Sequence, residues 1–173
     1  MKETEFKNHV GLYLPSVLCS RAQAAAFLQG GESFPDIAGT VLFYQTAVGV
    51  VVFAEVKGLP AASGPCTEGV FGFHIHQGTD CGGSMAEPFA DARQHFDLAD
   101  CPHPYHSGDL PPLFGNNGLA IAAFLTNRFC VDEVIGRTVI IHDHPDDFTS
   151  QPSGNSGTKI ACGVIKSLLG PGR

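Results

Sequence analysis

Val70 to His76, VFGFHIH, is the stretch on which the reading of this chain turns. Its residues alternate with a period of two, Phe71, Phe73 and Ile75 on one face and Gly72, His74 and His76 on the other, as in a β-strand. Runs of the same kind lie on both sides. Ile37 to Tyr44 and Val48 to Val56 are rich in β-branched and aromatic residues, and Gly58-Leu59-Pro60 stops the second. Leu119 to Thr126 follows an Asn116-Asn117-Gly118 turn signal, Thr138 to His142 follows Gly136, and Ile160 to Ile165 closes the set. Six or more short strands with Gly and Pro between them predict an all-β fold, an antiparallel sandwich or barrel.

Composition agrees. Gly and Pro make up about a fifth of the 173 residues, 43% are apolar, and charged residues reach only 16% against roughly 25% in an average soluble domain. The length suits one domain with a real core. A formal net charge of -7 argues against nucleic acid or an anionic membrane as partner. No apolar run approaches the roughly 18 residues of a membrane span, and Met1 to Asn8 lacks the basic region of a signal peptide. A cytoplasmic protein is therefore expected, or an extracytoplasmic one if a leader has been removed. Six cysteines (19, 66, 81, 101, 130 and 162) pull towards an oxidising compartment; none forms a CxxC pair, and arithmetic alone picks none of their 15 pairings. Residues 1–34 read as an N-terminal extension, with the Ala-rich Ala22 to Gln29, closed by Gly30-Gly31, either a short helix or an irregular entry segment. Residues 35–166 read as the domain and 167–173 as a tail.

The histidines carry the chemistry. In a strand, His74 and His76 point to the same face roughly 7 Å apart. An isolated H-x-H reads more readily as two exposed strand histidines than as ligands. Between His76 and Asn116, 39 residues show little periodicity, far beyond an ordinary loop. They hold His95, His103, His106 and Asp109, three imidazoles and one carboxylate, which make a closed tetrahedral set for Zn²⁺ and so a structural rather than hydrolytic site. The alternative is a His-rich surface loop. His142 ends an apolar strand, where a lone histidine is normally a core residue; joined with His74, His76 and His95 it gives four nitrogens suited to Cu²⁺. His95 can serve both sets through its two ring nitrogens. His9 and His144 lack comparable context.

Three blocks, GFHIHQ (72–77), HFDLADCPHPYHSGDLP (95–111), and GRTVIIHDHPDDF (136–148) with GNSGTKIACGVI (154–165), together resemble the copper/zinc superoxide dismutase family over about residues 35–166. The resemblance implies an eight-stranded Greek-key β-barrel of flattened form with long metal-binding loops. It implies His74, His76, His95 and His142 as copper ligands, and His95, His103, His106 and Asp109 as zinc ligands. Asp146 matches a carboxylate that links histidines of the two sites, and Cys81 with Cys162 matches the family's intrasubunit disulfide. The early position of Cys81 is similar to bacterial members. The implied activity converts superoxide to O2 and H2O2 by alternating one-electron reduction and reoxidation of copper, with His95 carrying a proton. Where most members have Arg beside copper, this chain has Lys159, which keeps the charge but loses the planar fork that holds an anion and a backbone carbonyl together. Slower catalysis is expected. The rival on the same barrel is a non-enzymatic copper/zinc-binding or copper-transfer module. The family builds dimers through different faces and includes monomers, so a homodimer is an open expectation. Cys66 with Cys101, and Cys19 or Cys130 across chains, are further candidate pairings, with a buried free thiol the alternative for Cys130.

Overall fold

The β-branched runs become strands wherever one face can be buried. In the computed structural model, which describes residues 13–61, 64 and 69–169, the elements are α1 (Leu14–Leu18), β1 (Ala24–Gly30), β2 (Ala38–Thr46), β3 (Gly49–Lys57), β4 (Val70–Phe71), β5 (Phe73–His76), β6 (Leu113–Phe114), β7 (Ala120–Thr126), α2 (Val131–Val134), β8 (Thr138–His142) and β9 (Lys159–Ser167). Among these residues no helix is long and apolar enough to cross a membrane.

One antiparallel sheet carries the order β5-β8-β9-β1-β2-β3-β7, so the first and last strands are neighbours and β3 skips past β4, β5 and β6 to reach β7. β4 and β5 form one strand interrupted at Gly72, whose carbonyl accepts His142 N and whose N–H donates to His144 O. Counted so, there are eight strands among the described residues. β4 pairs with β6, and β6 packs on β7, which brings the two ends of the long sheet together. This is the all-β Greek-key architecture expected. Inside lie Phe43, Val41, Val52, Phe73, Ile75, Val139, Ile141 and Ile160, all within one apolar cluster. Between β6 and β7, where a turn was expected at Asn116-Asn117-Gly118, Asn117 and Gly118 both take positive φ (51° and 81°), as in the type I′ turns that Asn-Gly favours.

The helix expected over Ala22 to Gln29 is corrected: this stretch enters the sheet as β1, hydrogen-bonded to β2 on one side and β9 on the other. Alanine's helix propensity is worth tenths of a kcal/mol per residue, and two flanking ladders outweigh it. Ala24, Ala26 and Leu28 point into the core, while Phe27 is exposed. Residues assigned to the N-terminal extension therefore supply an internal strand. The short helix lies earlier, at α1, where Leu14, Val17 and Leu18 cover Tyr44, Val51 and Phe53 on the outer face of β2 and β3.

Candidate metal centre

β5 is an edge strand of the long sheet, and its free backbone groups capture both arms of the long loop. His76 pairs with His95 and His74 with Asp109 as isolated bridges. Ile75 N donates to Gly108 O at 2.9 Å, and Phe96 N donates to Ile75 O at 2.8 Å. On its other side β5 pairs with β8, which ends at His142. The strand thus gathers residues from three distant parts of the sequence around His74 and His76.

Two groups of metal-binding side chains result: His74, His76, His95 and His142, and His95, His103, His106 and Asp109. Within each, one donor atom per residue lies within 4.8 Å of the others. His95 belongs to both, as its two ring nitrogens allow. His74 and His76 are buried, not exposed strand histidines, and so is His103. His76 Nε2 and His142 Nε2 stand 3.2 Å apart, and the His74 and His95 rings 4.0 Å between centroids. On the second side, His95 Nδ1 lies 2.7 Å from Asp109 Oδ1, and His106 Nδ1 lies 3.2 Å from Oδ2.

The outward nitrogens are already held. His76 Nδ1 donates to Arg93 O at 2.8 Å, and His142 Nδ1 to Gly157 O at 3.3 Å. Asp146 accepts from His74 Nε2 at 2.8 Å through Oδ2 and from His103 Nε2 at 2.9 Å through Oδ1, so one carboxylate joins the two groups. Gly154 makes room for it: a Cβ there would stand 2.0 Å from Asp146 Oδ1. His74 Nδ1, His95 Nε2 and His103 Nδ1 are buried and make no hydrogen bond, although His103 Nδ1 lies 3.1 Å from Asp109 Oδ2, its neighbour in the second group. Buried polar atoms are seldom left so, because each costs about 1–3 kcal/mol. Imidazole nitrogens oriented by outer partners and free on the inner side are what a metal requires. The residues present fit a copper and a zinc ion.

Electrostatics keep ligands in their binding form. Burial, then repulsion from His95 and His142, pushes His74 and His76 well below the usual histidine range. Burial, then His95, brings His142 down to about 4. These three are neutral at neutral pH, as metal ligation requires. Burial acts to raise Asp109, but the hydrogen bond and charge of His95, with His103 and His106, overcome it and hold the carboxyl below its ordinary value.

Lys159 stands opposite His142 in the β8–β9 ladder, next to an irregularity in register between Ile141 and His142. Its ammonium donates to Phe89 O and Arg93 O, each at 3.1 Å. Two of its three N–H groups are thus taken by carbonyls and one is left over. Burial lowers its pKa, with Glu87 acting the other way. A polar cavity of about 430 Å³, walled by Gln77, Gln94, Asp97, Asp100 and His106 among others, opens onto His95; another of about 190 Å³ lies against Lys159.

Cys81 and Cys162 form a disulfide between the long loop and β9. Cys19, Cys101 and Cys130 are free thiols; Cys130 is exposed rather than buried. Cys66 and His9 lie outside the described residues. Composition and spacing gave no sign of Gln151 and Asp97. Gln151 grips His103 by both backbone groups, Oε1 accepting from N at 3.1 Å and Nε2 donating to O at 2.7 Å. Asp97 accepts from Cys101 N at 2.6 Å and Ser107 N at 3.1 Å. Both act on backbone, which leaves little imprint on residue spacing.

Residues 37–165 match the family described as copper/zinc superoxide dismutase. The chain is 35% identical to a protein of Deinococcus radiodurans named superoxide dismutase [Cu-Zn], over 76% of this chain and 79% of that one. Proteins of the same name from Legionella pneumophila (36%, covering 76% and 80%) and Caulobacter vibrioides (31%, covering 83% and 85%) are similar along comparable lengths. With two histidine groups sharing His95 on a Greek-key barrel, and this match over most of its length, the chain belongs to the copper/zinc superoxide dismutase family.

Proposed function

We infer that this protein is a superoxide dismutase, with copper held by His74, His76, His95 and His142 and zinc by His95, His103, His106 and Asp109. The single observation that carries the reading is the position of His95. Its Nδ1 faces Asp109 at 2.7 Å, its Nε2 is buried without a partner, and its ring belongs to both donor groups. Copper, when bound, supplies the reversible one-electron change by which one superoxide is oxidised to O2 and a second is reduced.

The side chains account for the rest. Asp146 orients His74 and His103, so neither ring can turn its inner nitrogen away. His95 would hold zinc with Asp109 through the nitrogen that faces it, Nδ1, which leaves Nε2 as the atom that holds a proton and passes it to the reduced substrate. Two superoxide anions and two protons give O2 and H2O2, so a proton carrier at the reacting end is required. Lys159 draws the anion in. Among the described residues it is the one Lys or Arg lining either cavity; Glu32 shares its wall, and Asp97 and Asp100 stand in the wall of the other. With two N–H groups on carbonyls, one remains for the substrate.

Metal analysis and a superoxide assay on one sample test this. Dismutation well above that of free copper is expected with both metals bound stoichiometrically. Both metals bound without dismutation would overturn it in favour of a copper-binding module.

A further inference from the structure

Arg128 lies two residues beyond β7 and belongs to neither ligand group. Its backbone N–H donates to Thr126 Oγ1 at 3.3 Å, and its side chain folds back across the loop. Nη1 lies 2.9 Å from Pro104 O, 3.1 Å from His106 O and 3.3 Å from Asp109 O. Three carbonyls from residues 104–109 thus converge on one guanidinium nitrogen. Guanidinium suits the task, because it is planar, permanently charged and unable to accept a hydrogen bond. The other polar contacts approach from elsewhere: Gln151 grips His103, and Asp97 ties Ser107 to the same loop. Arg128 is the side chain that fastens this stretch to the end of β7.

We propose that Arg128 is a positioning residue of the zinc site: by holding the carbonyls of Pro104, His106 and Asp109 against the end of β7, it keeps the His106 ring and the Asp109 carboxylate converged. Through the 2.7 Å contact of Asp109 with His95 Nδ1, it also keeps the shared ring in register with the copper group. The proposal rests on the reading that His95, His103, His106 and Asp109 bind zinc. Arg128 touches no donor atom itself, so its effect is on how long the metal stays.

The test uses the metal-loaded protein and measures zinc release to a chromogenic chelator at fixed pH, together with the visible absorption of Co(II) loaded in place of zinc. Arg128→Ala is expected to release zinc about 10-fold faster or more, the lower end for loss of an outer partner of a metal site, and to alter the Co(II) band. Arg128→Lys should restore part of the difference. Arg21→Ala is the control, since Arg21 also holds a backbone carbonyl, that of Leu168, but far from the ligand loop in sequence. It should release zinc as the parent does. Equal release from Arg128→Ala and the parent would overturn the role of Arg128 alone, and so would equal acceleration by Arg21→Ala. A parent that binds no zinc would overturn the zinc reading itself. Should Arg128→Ala fail to fold, Arg128→Lys decides: release a few-fold faster supports the role, and unchanged release overturns it.

Discussion

The two metal-binding groups are built differently. Three of the four donors proposed for copper, His74, His76 and His142, sit on β5 and β8, adjacent strands whose ladder fixes the Cα positions. The three donors proposed for zinc alone, His103, His106 and Asp109, sit on a loop that holds no regular strand until β6. A strand places side chains by its period of two and needs only outer partners to turn the rings. A loop has no such ruler, so Gln151, Asp97 and Arg128 hold its backbone instead. The same ligand chemistry is therefore preorganised by a ladder on one side, and on the other by side-chain clamps added to the β5 bridges at His95 and Asp109. Asp146 ties the halves together.

The largest expected effect comes from removing a ladder ligand. His142→Ala should abolish dismutation and weaken copper binding by more than the roughly 100-fold upper end for an outer partner, while zinc is kept. Metal analysis of the purified variant checks it, and equal loss of both metals would erase the distinction between the halves. Next is acid. His142 is neutral when folded down to about pH 4 but protonates near 6.5 when unfolded, so between these values the unfolded chain binds more protons and stability rises with pH. The metal-free protein should lose about 3 kcal/mol from His142 alone as pH falls from 6.5 to 4. Asp109, held below its usual range, adds a loss of the same sign at still lower pH. Denaturant titrations across this range measure it; stability flat below pH 6.5 would count against a neutral buried cluster.

Asp146→Ala acts on both halves and should cost each metal about 10- to 100-fold in affinity. A change in only one, read by competition with a chelator, would show that the bridge matters to that side alone. Lys159→Ala should slow the reaction about 10-fold and remove most of its salt dependence, visible in rates at low and high ionic strength. Lys159→Arg should raise the rate, as befits an enzyme; no change would favour a carrier. Smallest is Gln151→Ala, expected to speed zinc release about 3-fold and leave copper untouched, because it removes one clamp among several.

The strands over Ala38–Thr46, Gly49–Lys57, Val70–His76, Ala120–Thr126, Thr138–His142 and Lys159–Ser167 were legible in advance, apart from one or two residues at some ends. Each has an alternating or continuous apolar face bounded by Gly, Pro or Asn, a local pattern with a local cause. β1 was not legible, because Ala-Ala-Ala-Phe-Leu carries helix propensity and becomes a strand only when β2 and β9 flank it. The ligand inventory could be listed from residue types and spacing, and blocks 72–77, 95–111 and 136–148 with 154–165 pointed to the family. Gln151, Asp97 and Arg128 could not be found so, since each acts on backbone carbonyls or N–H groups that every residue possesses.

Residue types and their spacing pointed to a β domain with four imidazoles in one candidate set and three histidines with a carboxylate in another. Period-two burial and ligand chemistry are properties of the residues themselves. The resemblance implied His95 in both sets and Asp146 between them, but the fold is what brings their atoms within reach and seats a lysine on two carbonyls opposite His142. Those relations join residues far apart in the chain, and distance in space is fixed only when the sheet closes and its edge strand captures the loop.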